Sequence, residues 1–254
     1  SDMSEKNKII ISIQARMGSS RLPGKVLKKI CGKQMLQLML ERLSKCKLID
    51  EIIISTTNNK KDDPIFEFAK NYGYQVFRGN EQDCLDRHYQ AAKNRNAKFV
   101  CKITSDCPLI DPEIVDKVIK YFLENKNKFD YVSNVHPATY PDGLDVEIFS
   151  MSALEKTWKE AKKNDEREHT TTYMWKNPSI FKIGSIIMPN GENLFKKERW
   201  TVDYPEDFEF IKKIYENLYK KDKIFLMDEI LEFLIKRKDV KKINQHLIEK
   251  NKVH

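Results

Sequence analysis

The sequence contains little glycine and proline and no long apolar run. Of its 254 residues only 8 are glycine and 9 are proline, which argues against long flexible linkers. No stretch approaches the roughly 18 consecutive apolar residues that indicate a transmembrane helix, and no charged-then-apolar leader opens the chain. We therefore expect a protein that has no membrane partner.

Cysteine is also used sparingly, at five positions. The number is odd and no C-x-x-C pair occurs, so neither a disulfide framework nor a cysteine-rich zinc site is expected. This usage favours a reducing, cytoplasmic setting.

Arginine is scarce too, since it supplies nine of the 46 basic side chains and lysine supplies the rest. The formal net charge is +8, but no element interleaves basic and aromatic residues as a nucleic-acid platform would. A nucleic-acid partner is therefore not expected, whereas a small anionic substrate agrees with the sign of the charge. Hydrophobic residues at 40% and charged residues at 33% are typical of a globular chain long enough to bury a core.

The first half of the chain alternates short β-rich runs with amphipathic stretches. Predicted strands cover residues 9–13, 51–55, 74–77 and 99–103. Predicted helices cover residues 35–46 and 83–95, and two more begin at Asp63-Pro64 and Asp111-Pro112, each with aspartate as the N-cap. This order predicts an α/β fold with a mostly parallel sheet and helices on both faces.

The spacing changes in the second half. Residues 145–149 alternate polar and apolar side chains as a strand does, and Ser152-x-x-Glu155 has the spacing of a capping box. A strand is expected near residues 180–188, followed by mostly helix from Pro205 onward.

No internal repeat, low-complexity segment or clear domain boundary interrupts the chain. We therefore predict one domain over residues 1–254. Its excursion at about residues 131–200 would serve the substrate or a dimer contact.

Three cations, two hydroxyls and two glycines are concentrated in residues 14–25, directly after the first predicted strand. An open α/β sheet binds its ligand at the carboxyl ends of its strands. Glycine lets backbone N–H groups approach an anion, while Arg16, Arg21 and Lys25 supply charge. The spacing fits neither a Walker loop nor G-x-G-x-x-G. The segment predicts an anion-binding loop, and the alternative is an exposed basic turn.

Two aspartates are candidate ligands for a divalent cation beside a bound phosphate. Asp106 follows the strand that ends at Ile103, on the same predicted sheet edge as the anion-binding loop. Asp203 lies two residues before Pro205, so helix capping explains it less well than it explains the aspartates that directly precede proline. A turn or capping role is the alternative for both, because aspartate is common in turns and helix boundaries vary by a residue or two.

In this order, these segments resemble the acylneuraminate and KDO cytidylyltransferase family, and within it the spore-coat polysaccharide biosynthesis F-type proteins. The likeness runs from Ile9 to about Tyr219, and the stretch from Gln14 to Lys25 is its most specific part. Further matching motifs are residues 78–87, 105–112, 142–147, 167–171 and 201–207. The resemblance implies a Rossmann-like nucleotidyltransferase of the nucleotide-diphospho-sugar transferase type. Such an enzyme joins a nucleoside triphosphate, usually CTP, to a sugar and releases pyrophosphate.

Residue roles are implied by the same resemblance. The implied catalytic set grips the triphosphate through Arg16, Arg21 and Lys25 and holds Mg²⁺ through Asp106 and Asp203. The implied nucleotide-binding set also contains Gln14, Ala15, Gly18, Ser19, Arg78, Gln82, Arg87 and Ser105. The implied acceptor-binding set is Asp145, Glu147, Arg167 and His169.

Several of these roles have plain alternatives. Arg167 and His169 would also suit a solvated helix start, and Asp145 and Glu147 a strand face in water. Cys84-Leu85-Asp86-Arg87 replaces the Ser/Gly/Thr-rich run of KDO-type members, so CTP is favoured but GTP or another base stays open. The resemblance also implies a homodimer and a role in surface polysaccharide or glycoconjugate biosynthesis. The acceptor would be an acidic sugar or a sugar phosphate.

Two other functions stay open on the sequence. A nucleotide-sugar-dependent glycosyltransferase would carry Asp-x-Asp at a strand end, and none follows Ile103. A non-catalytic nucleotide-binding protein would keep the cationic loop and tolerate the loss of Asp203. Pyrophosphate release with Mg²⁺ and a sugar separates the predicted enzyme from both.

Overall fold

A seven-stranded mixed sheet forms the centre of the computed structural model, which describes residues 7–125 and 127–253. In chain order, the strands of this sheet and of a small separate hairpin (β2, β3) are β1 Ile9–Gln14, β2 Lys29–Ile30, β3 Lys33–Gln34, β4 Glu51–Thr57, β5 Gln75–Gly79, β6 Phe99–Thr104, β7 Tyr131–Ser133, β8 Glu147–Ser150 and β9 Ile183–Ser185.

The spatial order of the large sheet is β5-β4-β1-β6-β8-β7-β9. The four strands β5, β4, β1 and β6 pair in parallel, and so do β7 and β9. β8 is antiparallel to both of its neighbours. The predicted α/β fold with a mostly parallel sheet is therefore confirmed.

Helices cover both faces of the sheet. They are α1 Met35–Leu43, α2 Asp63–Tyr72, α3 Cys84–Asn94, α4 Pro112–Glu124, α5 Met151–Glu160, α6 Asn164–Glu168, α7 Thr172–Trp175, α8 Pro205–Leu218, α9 Met227–Lys236 and α10 Lys238–Lys241. Short 3-10 turns occupy Lys25–Leu27, Lys60–Asp62, Pro189–Gly191 and Gln245–Lys250.

Strand β1 shows why the sheet is covered on both sides. Successive side chains of a strand point to opposite faces, so a continuous apolar run requires packing on each. Ile9, Ile11 and Ile13 join one apolar cluster with α1, α4 and α8, while Ile10 joins another with α3 and α5. All four are buried, and each contributes about 1.5–3 kcal/mol of transfer free energy.

In the first half, the predicted elements match the structure to within a few residues, with one wrong cap. Asp111 caps α4 as predicted, because its carboxylate accepts hydrogen bonds from two backbone N–H groups of the first turn. The predicted cap Asp63 lies inside α2, and the N-cap is Asp62. The Asp62 carboxylate instead accepts from the Met17 N–H and the Thr57 hydroxyl, so it ties α2 to the loop after β1.

The second half departs further from the sequence patterns. The capping box at Ser152 is wrong: α5 begins at Met151, and the Ser150 hydroxyl accepts from the Ala153 N–H at 3.1 Å. The strand expected near residues 180–188 is reduced to the three residues of β9. The prediction of one domain over residues 1–254 stays a prediction. In the part of the chain that the structure describes, no helix is both long and apolar enough to cross a bilayer.

Candidate active site

The loop after β1 (residues 15–25, the cationic loop) folds back on itself. Gly24 has φ 70°, a left-handed conformation that favours glycine, and its N–H donates to the Met17 carbonyl at 2.9 Å. The Met17 N–H in turn donates to the buried Asp62 carboxylate at 2.8 Å. These bonds fix the cationic loop at the carboxyl end of β1.

The cationic loop contacts the segment that precedes α8. Lys25 Nζ donates to the Val202 carbonyl at 2.7 Å and lies 3.6 Å from Asp203 Oδ1. Arg21 lies 3.8 Å from Asp203 Oδ2, with its guanidinium over the Tyr204 ring. The structure therefore brings together two predicted cations and a predicted metal ligand from distant parts of the sequence.

Asp106 lies beside the same segment. The Val202 N–H donates to the Asp106 carbonyl at 2.9 Å, and the Thr201 hydroxyl donates to it at 3.3 Å. The Asp106 carboxylate accepts from the Thr104 hydroxyl at 2.7 Å and from the Cys107 thiol at 3.3 Å. The two predicted metal ligands thus lie on adjacent loops that are hydrogen-bonded to each other.

A buried ion pair under α8 fixes the backbone at Asp203. The Asp207 carboxylate is wholly buried. It accepts hydrogen bonds from Arg199 Nε at 2.9 Å and from a second nitrogen of the same guanidinium at 3.0 Å. It also accepts from the N–H groups of Asp203 at 3.1 Å and Tyr204 at 2.9 Å. The sequence reasoning gave Asp207 no role of its own. Its position three residues after the N-cap of α8 was the available signal.

A second buried cation, Arg42 of α1, supports the loop that carries Asp106. Its Nε donates to the Ile110 carbonyl at 2.6 Å, and a terminal nitrogen donates to the Leu109 carbonyl at 3.3 Å. Tyr215 of α8 donates to the Pro108 carbonyl at 2.5 Å. Burial lowers the pKa of the Arg42 guanidinium. The sequence reasoning missed Arg42, and its only signal was an arginine on the apolar face of a helix.

An open cavity of about 280 Å³ lies between the cationic loop, the end of β6 and the start of α3. Its lining is Gln14, Arg16, Gly18, Lys25, Val26, Cys84, Arg87, Thr104, Ser105, Asp106, Glu168 and His169. Eight of the predicted site residues are among them, drawn from four separate parts of the sequence. Their roles stay predictions, but the structure does place them around one space.

The other predicted nucleotide-binding residues lie outside this lining: Ala15, Ser19, Arg21, Arg78 and Gln82. The predicted metal ligand Asp203 lies outside it too. Arg78 is engaged elsewhere, because its guanidinium donates to the carbonyls of Thr57 and Asn59 and to the Asp63 carboxylate at 2.7–2.8 Å. The contacts around Arg78 indicate a residue that fixes the loop after β4.

Two of the predicted acceptor-binding residues are also engaged within the protein. Arg167 pairs with Asp83 at 2.8 Å and donates to the Trp158 carbonyl at 2.7 Å, which anchors α6 to the start of α3. Glu147 is buried against Lys102 at 3.2 Å, so it faces neither of the two environments considered for it, an open cleft or water. Burial alone would raise the pKa of Glu147, but Lys102 and two hydroxyl donors hold that pKa below its ordinary value.

The two other acidic residues of the motif at 142–147 lie near Asp106. Burial, then repulsion from Asp142, raises the pKa of Asp145 well above its ordinary value. Burial and Asp106 raise the pKa of Asp142 to about 7, against the opposing effect of Arg199. Like charges therefore crowd one side of the site, and a cation near Asp106 would relieve this repulsion.

The donor set around the site suits one kind of metal. Across residues 7–125 and 127–253 there is no group of three or more His, Cys, Asp or Glu side chains arranged to hold a metal by itself. Mg²⁺ commonly uses one or two carboxylates and completes its octahedron with waters and substrate phosphates. Asp106 and Asp203 therefore fit an ion that arrives together with a polyphosphate.

Comparison with known proteins gives consistent results along the whole chain. A family model described as cytidylyltransferase matches residues 9–231. The uncharacterized protein MJ1063 of Methanocaldococcus jannaschii is 42% identical over 96% of this chain and 97% of its own length. The spore coat polysaccharide biosynthesis protein SpsF of Bacillus subtilis is 29% identical over 83% of this chain and 87% of its own. A solved cytidylyltransferase from Leptospira borgpetersenii has a TM-score of 0.86 and 33% identity, covering 98% of this chain and 99% of that one.

Proposed function

Because this chain belongs to the cytidylyltransferase family and is a nucleotidyltransferase, we propose that it couples CTP to a sugar with Mg²⁺-dependent release of pyrophosphate. The acceptor is an acidic sugar or a sugar phosphate, and the product serves surface polysaccharide or glycoconjugate biosynthesis. The relative named for spore coat polysaccharide supports that setting. We also propose that the chain works as a homodimer in the cytoplasm.

One observation carries the proposal: Lys25 bridges the cationic loop to the Val202 carbonyl and the Asp203 carboxylate. We propose that these cations bind the phosphates and that the neighbouring carboxylate shares a metal with the same phosphates. A cationic loop that was only a surface turn would have no reason to meet Asp203 or, through Val202, Asp106.

In the proposed reaction an acceptor oxygen attacks the α-phosphorus of CTP in line, and any proton on that oxygen is lost to water. The bond from that phosphorus to the oxygen it shares with the β-phosphate breaks, and pyrophosphate leaves. The triphosphate carries close to four negative charges, so catalysis is mainly charge neutralisation and positioning. Arg16, Arg21 and Lys25 stabilise charge on the departing pyrophosphate, and Asp106 and Asp203 would hold Mg²⁺. When bound, Mg²⁺ would neutralise phosphate charge and, where the acceptor is an acidic sugar, lower the pKa of its attacking hydroxyl.

The test is a pyrophosphate-release screen of four nucleoside triphosphates against a panel of sugar acids and sugar phosphates, with and without Mg²⁺. We expect release with CTP and one acceptor class. Lys25→Met should lower the rate by about 10²–10³, the usual effect of losing one preorganised charge. Lys236→Met is the matched control, because it removes a lysine that pairs with Glu232 on the exposed face of α9.

Near-native turnover in Lys25→Met or Asp106→Asn would refute the assigned site. Hydrolysis of nucleotide sugars, with no pyrophosphate released from any triphosphate, would instead favour a glycosyltransferase.

A further inference from the structure

Arg87 determines which way the Gln14 side chain faces. Arg87 is almost wholly buried, and its Nε donates to Gln14 Oε1 at 2.9 Å. Another of its nitrogens donates to the carbonyls of Asn80 at 2.6 Å and Glu81 at 3.0 Å. A guanidinium has donors and no acceptor, so the amide oxygen of Gln14 must face Arg87. The amide NH₂ of Gln14 must then face away from it.

That NH₂ group has no partner among the described residues. Gln14 Nε2 is buried and makes no hydrogen bond there. A buried donor without an acceptor is unfavourable, so such groups in proteins are normally satisfied by a ligand or an ordered water. Both Gln14 and Arg87 line the cavity, and Gln14 is the last residue of β1 before the cationic loop.

Gln14 lies two residues before Arg16, where β1 passes into the cationic loop. Arg16, Gly18 and Lys25 carry the features that suit phosphates. Gln14 adds no charge to the lining, and the Arg87 guanidinium beside it already donates to Gln14 and to two carbonyls. When the phosphates of a nucleoside triphosphate contact the cationic loop, Gln14 offers its base an uncharged donor.

The four bases differ in what they can accept from a primary amide. On its pairing edge cytosine has two adjacent acceptors, O2 and N3. Uracil has an N–H between its two carbonyls, and adenine has a single ring acceptor beside an amine. Guanine has adjacent acceptors only on its other edge, at O6 and N7. One N–H held between O2 and N3 can therefore be shared by both acceptors of cytosine, whereas the N3–H of uracil would face that donor.

We propose that Gln14, oriented by Arg87, reads the base by donating from Nε2 to the O2 and N3 acceptors of cytosine. Arg87 is then a positioning residue and not a nucleotide ligand. The inference rests on the proposed function, and it assigns the base preference to a residue outside the cationic side chains.

The test compares dissociation constants by titration calorimetry for CTP, UTP, GTP and inorganic tripolyphosphate, which has no base. Gln14→Glu keeps an oxygen toward Arg87 but presents an acceptor where the donor was. Gln14→Met keeps the length and removes the donor without adding charge. We expect Gln14→Met to weaken CTP binding by roughly 2- to 12-fold, the usual effect of losing one hydrogen bond between neutral groups, and Gln14→Glu to weaken it further. With Gln14→Met, tripolyphosphate binding should not change.

Arg87→Lys tests the positioning step. A lysine keeps the charge but cannot hold the amide oxygen and two carbonyls together. We expect the ratio of CTP to UTP affinity to fall, with KM for CTP rising more than kcat falls. Melting curves establish that each variant is folded, and two substitutions at Gln14 allow for the failure of one.

The inference is overturned if folded Gln14→Met keeps the wild-type CTP affinity and the CTP-to-UTP ratio. Nε2 would then meet an ordered water shared with Ser55, whose hydroxyl on the adjacent strand also lacks a partner among the described residues. Preference of the wild type for GTP, lost in Gln14→Met, would overturn the cytosine assignment. By contrast, a wild type that binds CTP no better than tripolyphosphate, or that releases no pyrophosphate from any nucleotide, contradicts the proposed function itself.

Discussion

The groups that would touch the nucleotide and the groups that hold them in place are paired in different ways. Arg21 and Lys25 lie 3.6–3.8 Å from Asp203, and the three side chains are 48%, 14% and 31% exposed. Beneath them, Arg199 and Asp207 are 2.9 Å apart and 2% and 0% exposed. We call Arg21, Lys25 and Asp203 the rim, which is loosely paired and partly exposed to solvent. Arg199 and Asp207 form the support, which is tightly paired and buried.

This difference follows from what each region has to do. Exposed ion pairs contribute at most about 1 kcal/mol to stability. The rim cations can therefore leave Asp203 for a phosphate, and Asp203 can bind a metal, with little loss of stability. Breaking a buried pair by removing one partner costs about 3–5 kcal/mol, so the support keeps its geometry while the rim changes partners. Groups fixed before the reaction need no reorganisation during it.

The largest effect is expected from the buried support. Asp207→Ala leaves the Arg199 charge buried without its partner and frees the N–H groups of Asp203 and Tyr204. We expect a loss of about 3–5 kcal/mol in the free energy of unfolding, measured by urea titration. Asp239→Ala is the matched control, because its pair with Arg237 has the same 2.9 Å separation but is exposed. Equal losses in the two variants would show that burial of the Asp207 pair does not matter.

The rim should respond in the opposite way, with a large effect on rate and a small one on stability. Asp203→Asn removes the carboxylate that faces both Arg21 and Lys25. We expect pyrophosphate release to slow by about 10²–10³ while the melting temperature stays close to wild type.

The same variant should bind metal-free tripolyphosphate more tightly, because both cations lose a competing anion. Glu232→Gln removes one surface negative charge next to Lys236 and serves as the control for net charge. If metal-free tripolyphosphate bound Asp203→Asn no better than Glu232→Gln, the exchange of partners at the rim would be wrong.

A glycine packs against residues 199–203, the segment that joins the support to the rim. Gly143 has φ +113°, and a Cβ placed there would lie 2.5 Å from the Trp200 carbonyl oxygen. The Trp200 N–H donates to the Asp142 carbonyl at 2.7 Å, so the motif at 142–147 is held against the segment leading to Asp203. We expect Gly143→Ala to cost about 1–3 kcal/mol in unfolding free energy. It should also slow catalysis through displacement of Asp203.

Gly73→Ala separates backbone strain from the clash. Gly73 also has positive φ, at +74°, but a Cβ there meets nothing within 4 Å. We expect it to lose less stability than Gly143→Ala and to keep full activity. An equal effect of the two changes on pyrophosphate release would exclude the close approach to Trp200 as the cause.

The same contrast explains what the sequence could predict. Part of the site was predictable because the cationic loop and Asp106 follow strands, and the carboxyl ends of parallel strands meet at one edge. Asp203 precedes a helix instead, so only the family resemblance linked it to them, and the structure places it 3.6 Å from Lys25. Predicting their roles needed the family resemblance, because charge and position do not identify the ligand.

The buried partners were not predictable from local patterns. Glu147 alternates along its strand as expected, but its partner Lys102 is on the neighbouring strand, in a register that the sequence does not show. Arg167 was expected to bind the sugar acceptor, but it forms an ion pair with Asp83 at the start of another helix. Ser150 and Ser152 differ by two residues, and only the course of the backbone decides which of them caps α5.

The smallest effect concerns Asp142, a buried acid whose neighbours include other carboxylates. Burial and Asp106 raise the pKa of Asp142 to about 7, so the folded state holds this proton more tightly than the unfolded chain does. Asp142 therefore favours folding below its folded pKa, and this contribution is lost as the pH rises through about 7. Between about pH 6 and pH 8 the wild type should lose roughly 1 kcal/mol of unfolding free energy through this group. Asp142→Asn should remove that part of the slope, and urea titrations of both proteins at the two pH values measure the difference. Because His88 and His136 are present in both proteins, parallel curves would mean that Asp142 does not titrate in this range.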